Sequence, residues 1–479
     1  MENTSTLKPI RQGGMGFNIS DWGLARAVSM RGQYGTVSGV ALEIVMAEML
    51  RRGDPGGHYR RALSHFPFPQ IAEEVLAAFH VKDGVGDSSS FRSTPVWSIT
   101  PSHLLISATI CANYASVWLA KEGHDGEVGV NYLQKIELPQ IPATLGAMLA
   151  RVKFVTVGAG IPFGIPEVIS AILEGRIVNY PVSVAGTNIR EHMMSFDPQA
   201  FFGEKLPEME RPDFIPIISS NLLASVLTDE RRMPKGSVQG FAVELDTAGG
   251  HNARPRKPVF NELGEQLPIY GPKDAVDWKK IADLGLPFWI GGSFASPEKL
   301  KWAQSVGAVG IQVGTLFALC EESGLRPDIR KKARKLAFEG KLPVRTDMRI
   351  SPTGFPFKVA VLDGTISEQA VYEGRERVCN KGVLVTLYEK PDGSIGYRCP
   401  AEPVERYVAK GGDIKDTKGR GCICNGLIAT AGLSDDEAPV VTLGDYVSSL
   451  RHLMKDENDS YTAPDAIAYL LGTPSQSPA

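Results

Sequence analysis

The chain is short of several features that mark whole protein classes. Cysteine is scarce, with six in 479 residues, and no two stand as a C-x2-C knuckle. A disulfide framework is therefore not expected, and reduced thiols are. Four of the six (Cys379, Cys399, Cys422 and Cys424) fall in one region as C-x19-C-x22-C-x-C. That order leaves a buried thiol group, an oxidisable pair and a metal site open, and no metal is assigned. Surplus charge is absent too: the net charge is -3, which points to neither nucleic acid nor an anionic membrane. The opening "MENTSTLKPIRQGG" has no apolar core of a secretory signal, and no apolar run looks long enough to cross a bilayer. A cytoplasmic protein is expected.

A nucleotide fingerprint is also missing. The first strand candidate ends in "QGGMGFNIS", which is not G-x-G-x-x-G. No acidic residue closes the second, "YGTVSG". Both absences argue against an open doubly wound sheet. What is present is alternation. Apolar β-rich runs such as "KFVTVGAG", "GFAVELD", "PFWIGG" and "VGIQVGT" alternate with helical patterns at βαβ spacing, which implies mostly parallel strands. Nine strand candidates exceed the eight of a closed barrel by one, and "NYPVSVAG" is the candidate to set aside. The expected fold class is α/β, a TIM (β/α)8 barrel over residues 1–346. It would carry a large insertion at about 52–101, after the second unit, and a smaller one at about 186–212. An irregular, cysteine-containing C-terminal extension would occupy 347–479, with a hairpin around "EKPDGSIGYRC" and a disordered "GTPSQSPA" end.

The 50 glycines carry more information than the absences. In a parallel barrel, chemistry gathers where strands end. Glycine recurs there: Gly14 and Gly16 around Met15, Gly249 and Gly250 before His251, Gly291 and Gly292, and Gly314 before Thr315. Asn131 ends another strand. The last two loops each precede a helical pattern, and free backbone N–H groups in that setting suit a phosphate. A phosphate grip with small residues round the mouth suits a flat, phosphorylated cofactor, with flavin mononucleotide (FMN) the natural candidate. Asn131, Glu244 and Gln312 are the candidate partners for its ring edge.

At this point the residues resemble a known family. "PIRQGGMG", "GVN" at Gly129–Asn131, "GAGIP", "AGGH" at Ala248–His251, "IGGS" and "QVGT" at Gln312–Thr315 follow one another as in the nitronate monooxygenases. These were formerly called 2-nitropropane dioxygenases and include related flavin-dependent enoyl reductases. The resemblance covers roughly residues 8–325. It implies an FMN-binding barrel with Gly14 and Met15 against the ring and Asn131 bonded to it. Gly249, Gly292, Gln312, Gly314 and Thr315 would hold the ring edge and phosphate, with Gly250 and Gly291 beside them. Two positions depart from the monooxygenase pattern. Gly14 replaces a proline, and Glu244 replaces a glutamine; a carboxylate cannot donate a hydrogen bond unless protonated.

His251 is the candidate catalytic residue, either as a base or, when protonated, as partner to an anionic substrate. His58 reads as a loop or surface histidine, and His124 as lying at the wrong end of its strand. Arg254 and Arg256 are candidates for an acidic substrate group, with a solvated basic loop as the alternative. "SPTGFPF" is read as either a lid or a linker. The expected function is oxidation of a nitronate or similar carbon acid with oxygen as acceptor. The alternatives are an enoyl-thioester reductase fed by NAD(P)H and a non-catalytic FMN-binding protein. The expected partner is a small anionic or acyl-thioester substrate, and a homodimer is left open.

Overall fold

A computed structural model describes residues 7–84, 93–187 and 192–474. The fold is α/β with parallel strands, as expected. One sheet has five strands in the order Ile10–Gln12, Gly310–Val313, Phe288–Gly291, Phe241–Glu244, Ile217–Ile218. A second has four: Gly35–Ser38, Val128–Leu133, Phe154–Gly158, Asp213–Phe214. Every pairing within both is parallel.

The two sheets adjoin at both edges. At one, Gln12 N donates to Tyr34 O (2.9 Å) and Tyr34 N to Ile10 O (3.1 Å). At the other, one continuous segment changes partners around Ile215–Pro216. Ile215 N donates to Val155 O, whereas Ala242 N donates to Pro216 O. Proline has no N–H to place in a ladder, so it fits a seam where pairing switches. The strand interiors are almost wholly buried, as expected of strands covered on both faces.

The candidate set aside is indeed apart from these sheets. Val178–Val182 pairs antiparallel with His192–Phe196, and Val184–Ala185 pairs with Thr386–Glu389 of the C-terminal region. The stretch expected as a large insertion, 52–101, carries two helices, His58–Leu63 and Pro69–Phe79, joined by irregular chain; residues 85–92 lie outside the description. His58 opens the first of these helices, its ring 4.8 Å from that of Trp22. His124 bonds locally to Ala120 O and Gly126 N.

The helix His103–Lys121 corrects one expectation. By length and composition it is apolar enough to cross a membrane. It is instead an interior helix, buried on nearly all sides, as all-round apolar helices in large proteins are. Ser102 caps its start by accepting from Leu105 N. Helix Gln140–Leu149 packs against it so closely that a Cβ on Gly146 would lie 2.2 Å from Ile110 O.

The C-terminal region shares in two hydrophobic clusters: in the smaller, Ile350, Phe357, Ile423 and Val440 pack with Phe17, Val40 and Val45. Val441, Leu443, Leu450 and Tyr461 belong to the main hydrophobic cluster. The expected boundary falls inside strand Val344–Asp347, which pairs antiparallel with Phe357–Ala360. The expected hairpin forms between Thr386–Glu389 and Ile395–Arg398. Residues 475–479 of the "GTPSQSPA" end lie outside the description. All six cysteines are unpaired. The Cys379 and Cys399 thiols share a hydrogen bond, which lowers the first and raises the second. Among the described residues no three His, Cys, Asp or Glu are grouped to hold a metal.

Candidate functional site

The strand ends converge on one cavity. Gly14, Met15, Asn131, Glu244, Gly249, Gly250, His251, Gly291, Gly292, Gln312, Gly314 and Thr315 all line it. The candidate catalytic and cofactor-binding residues thus share one surface, whereas Arg254 and Arg256 do not line it. The sequence did not foresee why several are glycine. A Cβ on Gly14 would lie 2.4 Å from Asn131 Cβ, so Gly14 first makes room for Asn131. Asn131 Nδ2 then donates to Gly14 O at 3.0 Å, and Asn131 Oδ1 is buried without a partner. A buried acceptor left free is costly unless something else donates to it. A ligand with an N–H edge, such as a flavin, answers that need.

After the Phe288–Gly291 strand, Gly292 (φ 99°) and Ser293 (φ 58°) both turn left-handed. Serine rarely adopts that conformation, and strain of roughly 1 kcal/mol or more is typical of functional loops. A Cβ on Gly292 would meet Thr247 Oγ1 at 2.8 Å. The helices after these loops do not supply the phosphate grip the sequence implied. The helix after Gly314 is a single short turn, Thr315–Ala318. The helix Pro297–Ser305 starts later and is already capped by Ser296. Any phosphate grip here comes from loop backbone and hydroxyls rather than from helix dipoles.

The C-terminal region supplies wall that sequence reasoning missed. Thr442, Leu443, Gly444 and Tyr446 line the cavity. Gly250 N donates to Thr442 Oγ1 (2.7 Å), Gly444 N to Thr315 Oγ1 (2.8 Å) and Asp445 N to Thr247 O (3.0 Å). Gly249 faces this segment: a Cβ there would lie 3.0 Å from the Leu443 carbonyl carbon. Its space is therefore filled by protein. The segment is anchored by Lys358, whose ammonium lies 2.7 Å from the Asp445 carboxylate. The Lys358 side chain is 5% exposed and that of Asp445 38%. Removing the acid strands a buried cation, whereas removing the lysine leaves a partly solvated acid. Asp445→Ala is therefore expected to cost about 2–4 kcal/mol in urea unfolding, and Lys358→Met clearly less. Equal losses would show that the pair is not held this way.

His251 is in direct contact with the "SPTGFPF" stretch, pairing with Phe357 as an antiparallel bridge. Its Nε2 shares a 2.7 Å hydrogen bond with Ser351 Oγ, and its ring meets Phe357 edge-on at 4.8 Å. Burial, with Lys135 nearby, lowers it to about 4. The ring is therefore neutral at pH 7. That leaves it the roles of base and hydrogen-bonding partner, not that of a cation facing an anion. The "SPTGFPF" stretch is pinned from three sides. Lys135 Nζ lies 3.7 Å from the Phe355 ring centroid, Arg254 donates to Gly354 O, and Arg420 donates to Ser351 O. Arg256 is engaged with Lys273 O and Asp274. Both arginines, read as either substrate-binding or part of a solvated basic loop, bond to backbone carbonyls of the protein instead, those of Gly354 and Lys273.

No protein-family model and no curated protein matches the chain. Solved structures do resemble it. FabK from Thermotoga maritima is 14% identical, with 97% of this chain and 92% of that chain covered and a TM-score of 0.47. A nitroalkane oxidase from Streptomyces ansochromogenes is 12% identical, with coverages of 97% and 95% and a TM-score of 0.46. The enoyl reductase domain of MlnA, from the macrolactin cluster of Bacillus amyloliquefaciens, is 10% identical, with coverages of 95% and 91% and a TM-score of 0.44. A nitroalkane oxidase and an enoyl reductase are thus among the proteins whose structures this chain resembles.

Proposed function

We propose that the chain is an FMN-dependent oxidoreductase of the nitronate monooxygenase type, oxidising an anionic nitronate or a similar carbon acid with oxygen as acceptor. The observation that carries this reading is the convergence on one cavity of close-approach backbone, the free Asn131 Oδ1 and a neutral, half-buried histidine. The reading takes the two adjoining sheets as one closed barrel. The Gln12–Tyr34 bonds at one edge and the unbroken Asp213–Ile218 segment at the other support it. It also places the protein in the cytoplasm, which six unpaired thiols suit.

Asn131, Glu244 and Gln312 would meet the ring edge, Met15 its face, and Gly292, Gly314 and Thr315 the phosphate. The cofactor would supply two-electron chemistry at the cavity. The chain's own residues supply the rest. Leu384, Ile423, Leu427 and Phe357 make an apolar wall that excludes water. His251, neutral and oriented by Ser351, takes a proton from a neutral carbon acid, or donates a hydrogen bond to a nitronate that arrives already deprotonated. Thr442 and Gly444 fix the loops on which His251 and Thr315 stand.

One observation favours the enoyl-thioester reductase alternative. Saturating a C=C bond consumes a proton, and Glu244, raised to about 7, is an acid in the same cavity. Anaerobic mixing separates the two readings. FMN-loaded protein bleached by propyl-2-nitronate alone supports the oxidase. Fast bleaching by NADPH with no response to the nitronate supports the reductase.

A further inference from the structure

Glu244, Gly291 and Gln312 stand abreast on three neighbouring strands, with registers Glu244↔Gly291 and Gly291↔Gln312. All three line the cavity. The middle position has no side chain, and a Cβ built there would lie 3.6 Å from Gln312 Cβ and 3.8 Å from its Nε2. The row is therefore a notch, with an amide on one wall and a carboxyl on the other. Among the described residues the Glu244 carboxyl makes no hydrogen bond and no ion pair. Glu43, a buried acid, at least accepts from the Trp97 indole N–H.

We propose that Glu244 keeps its proton in the working protein and donates it as a hydrogen bond to an acceptor on the edge of the bound flavin ring. The inference rests on the FMN reading above and deepens it. A charged carboxylate only accepts hydrogen bonds, so it would leave that ring acceptor unsatisfied and set its charge against the ring's lone pairs. A neutral acid donates as a glutamine amide does. The surroundings keep it neutral. Burial alone raises it to about 7, and no cation acts to lower it. The adjoining strands Ile217–Ile218 and Phe288–Gly291 carry no titratable side chain, and Gln312 is uncharged. On its own loop, His251 is held neutral. Lys358 and Asp445 pair with each other and act on Asp246 instead.

The test is the dissociation constant of FMN between pH 7 and 9, read by flavin fluorescence on wild-type protein and on Glu244→Gln. The FMN phosphate ionises near pH 6 and stays fully charged in this window. If only the acid form binds, wild-type Kd rises more than roughly tenfold across it. Glu244→Gln stays within about twofold, because its amide donates at every pH, and His251→Ala keeps the wild-type slope. A flat wild-type profile overturns the proposal, as does an unchanged slope in Glu244→Gln. Should Glu244→Gln not fold, the wild-type profile and that of His251→Ala decide between them. PH-independent FMN binding removes this inference and leaves the FMN reading standing, whereas failure to bind FMN at any pH removes both.

Discussion

Replacing His251 with alanine is expected to leave FMN bound and to slow substrate-driven bleaching of the flavin by roughly 100- to 10,000-fold. The expectation follows from where the ring sits. It lines the cavity but belongs to none of the strand-end groups proposed to hold the cofactor. Its one side-chain hydrogen bond runs to the "SPTGFPF" stretch, through Ser351. Removing Ser351's hydroxyl should slow bleaching less, because it orients the ring and does not exchange the proton. Stopped-flow absorbance with neutral 2-nitropropane, whose carbon-bound proton must leave before its electrons reach the flavin, measures both variants; the ready-made nitronate, which needs no base, should be slowed far less. Unchanged rates in His251→Ala would defeat the catalytic role. The same histidine predicts a pH effect on stability. An unfolded histidine takes a proton near pH 6.5, but the folded one takes it only near 4. Its neutral form thus favours the fold above about pH 6.5, and that contribution falls away as the pH drops towards 4. His251→Ala should lose this part of the acid sensitivity in urea titrations.

Arg11 carries the second large effect, on stability. It is 1% exposed and has no acidic partner among the described residues. Its guanidinium lies 4.6 Å from the Phe154 ring and 5.0 Å from that of Trp289. Nη2 donates to Thr156 Oγ1 at 2.7 Å, while Nε and Nη1 are unpartnered. Burial lowers its pKa to about 10, so it remains charged at pH 7. Aromatic faces attract such a cation, worth about 2 kcal/mol when desolvated. Arg11→Ala removes this attraction and opens a hole among large rings, with an expected loss of about 3–5 kcal/mol. Arg11→Met fills the space and removes an incompletely satisfied charge. It should cost far less, or even stabilise, as replacing buried ions by apolar side chains often does. Urea unfolding of the two variants settles the matter. Equal losses would mean that the charge, not the volume, is what the core needs.

The strand ends were legible because their signal is local. An apolar run closed by glycine marks both the strand and the point where backbone must come close, and Gly292 and Gly314 stand where that pattern puts them. Glu244 was legible for the same reason, and its departure from glutamine was visible before its surroundings were. The roof of the site was not. Thr442 meets Gly250 across 192 residues of sequence, and Ser351 meets His251 across 100. Gly444 contributes a backbone N–H, which no side-chain pattern reveals. Gly249 illustrates the limit within a single residue. Its need for space was readable, but what occupies that space, Leu443 and Gly444, was not. The helix His103–Lys121, expected as a helix, shows the same limit from another side: its length and composition would also allow a membrane span, and only its surroundings show it buried. Composition alone does not tell a membrane span from a helix surrounded by protein.

The central claim is that this cavity holds a flavin mononucleotide, and equilibrium binding tests it most directly. FMN titrated into the purified protein at pH 7, with flavin fluorescence and absorbance followed together, should bind one per chain. Gly14→Val should weaken binding strongly by displacing Asn131. No binding after reconstitution, or equal binding by Gly14→Val in a folded state, would contradict the account.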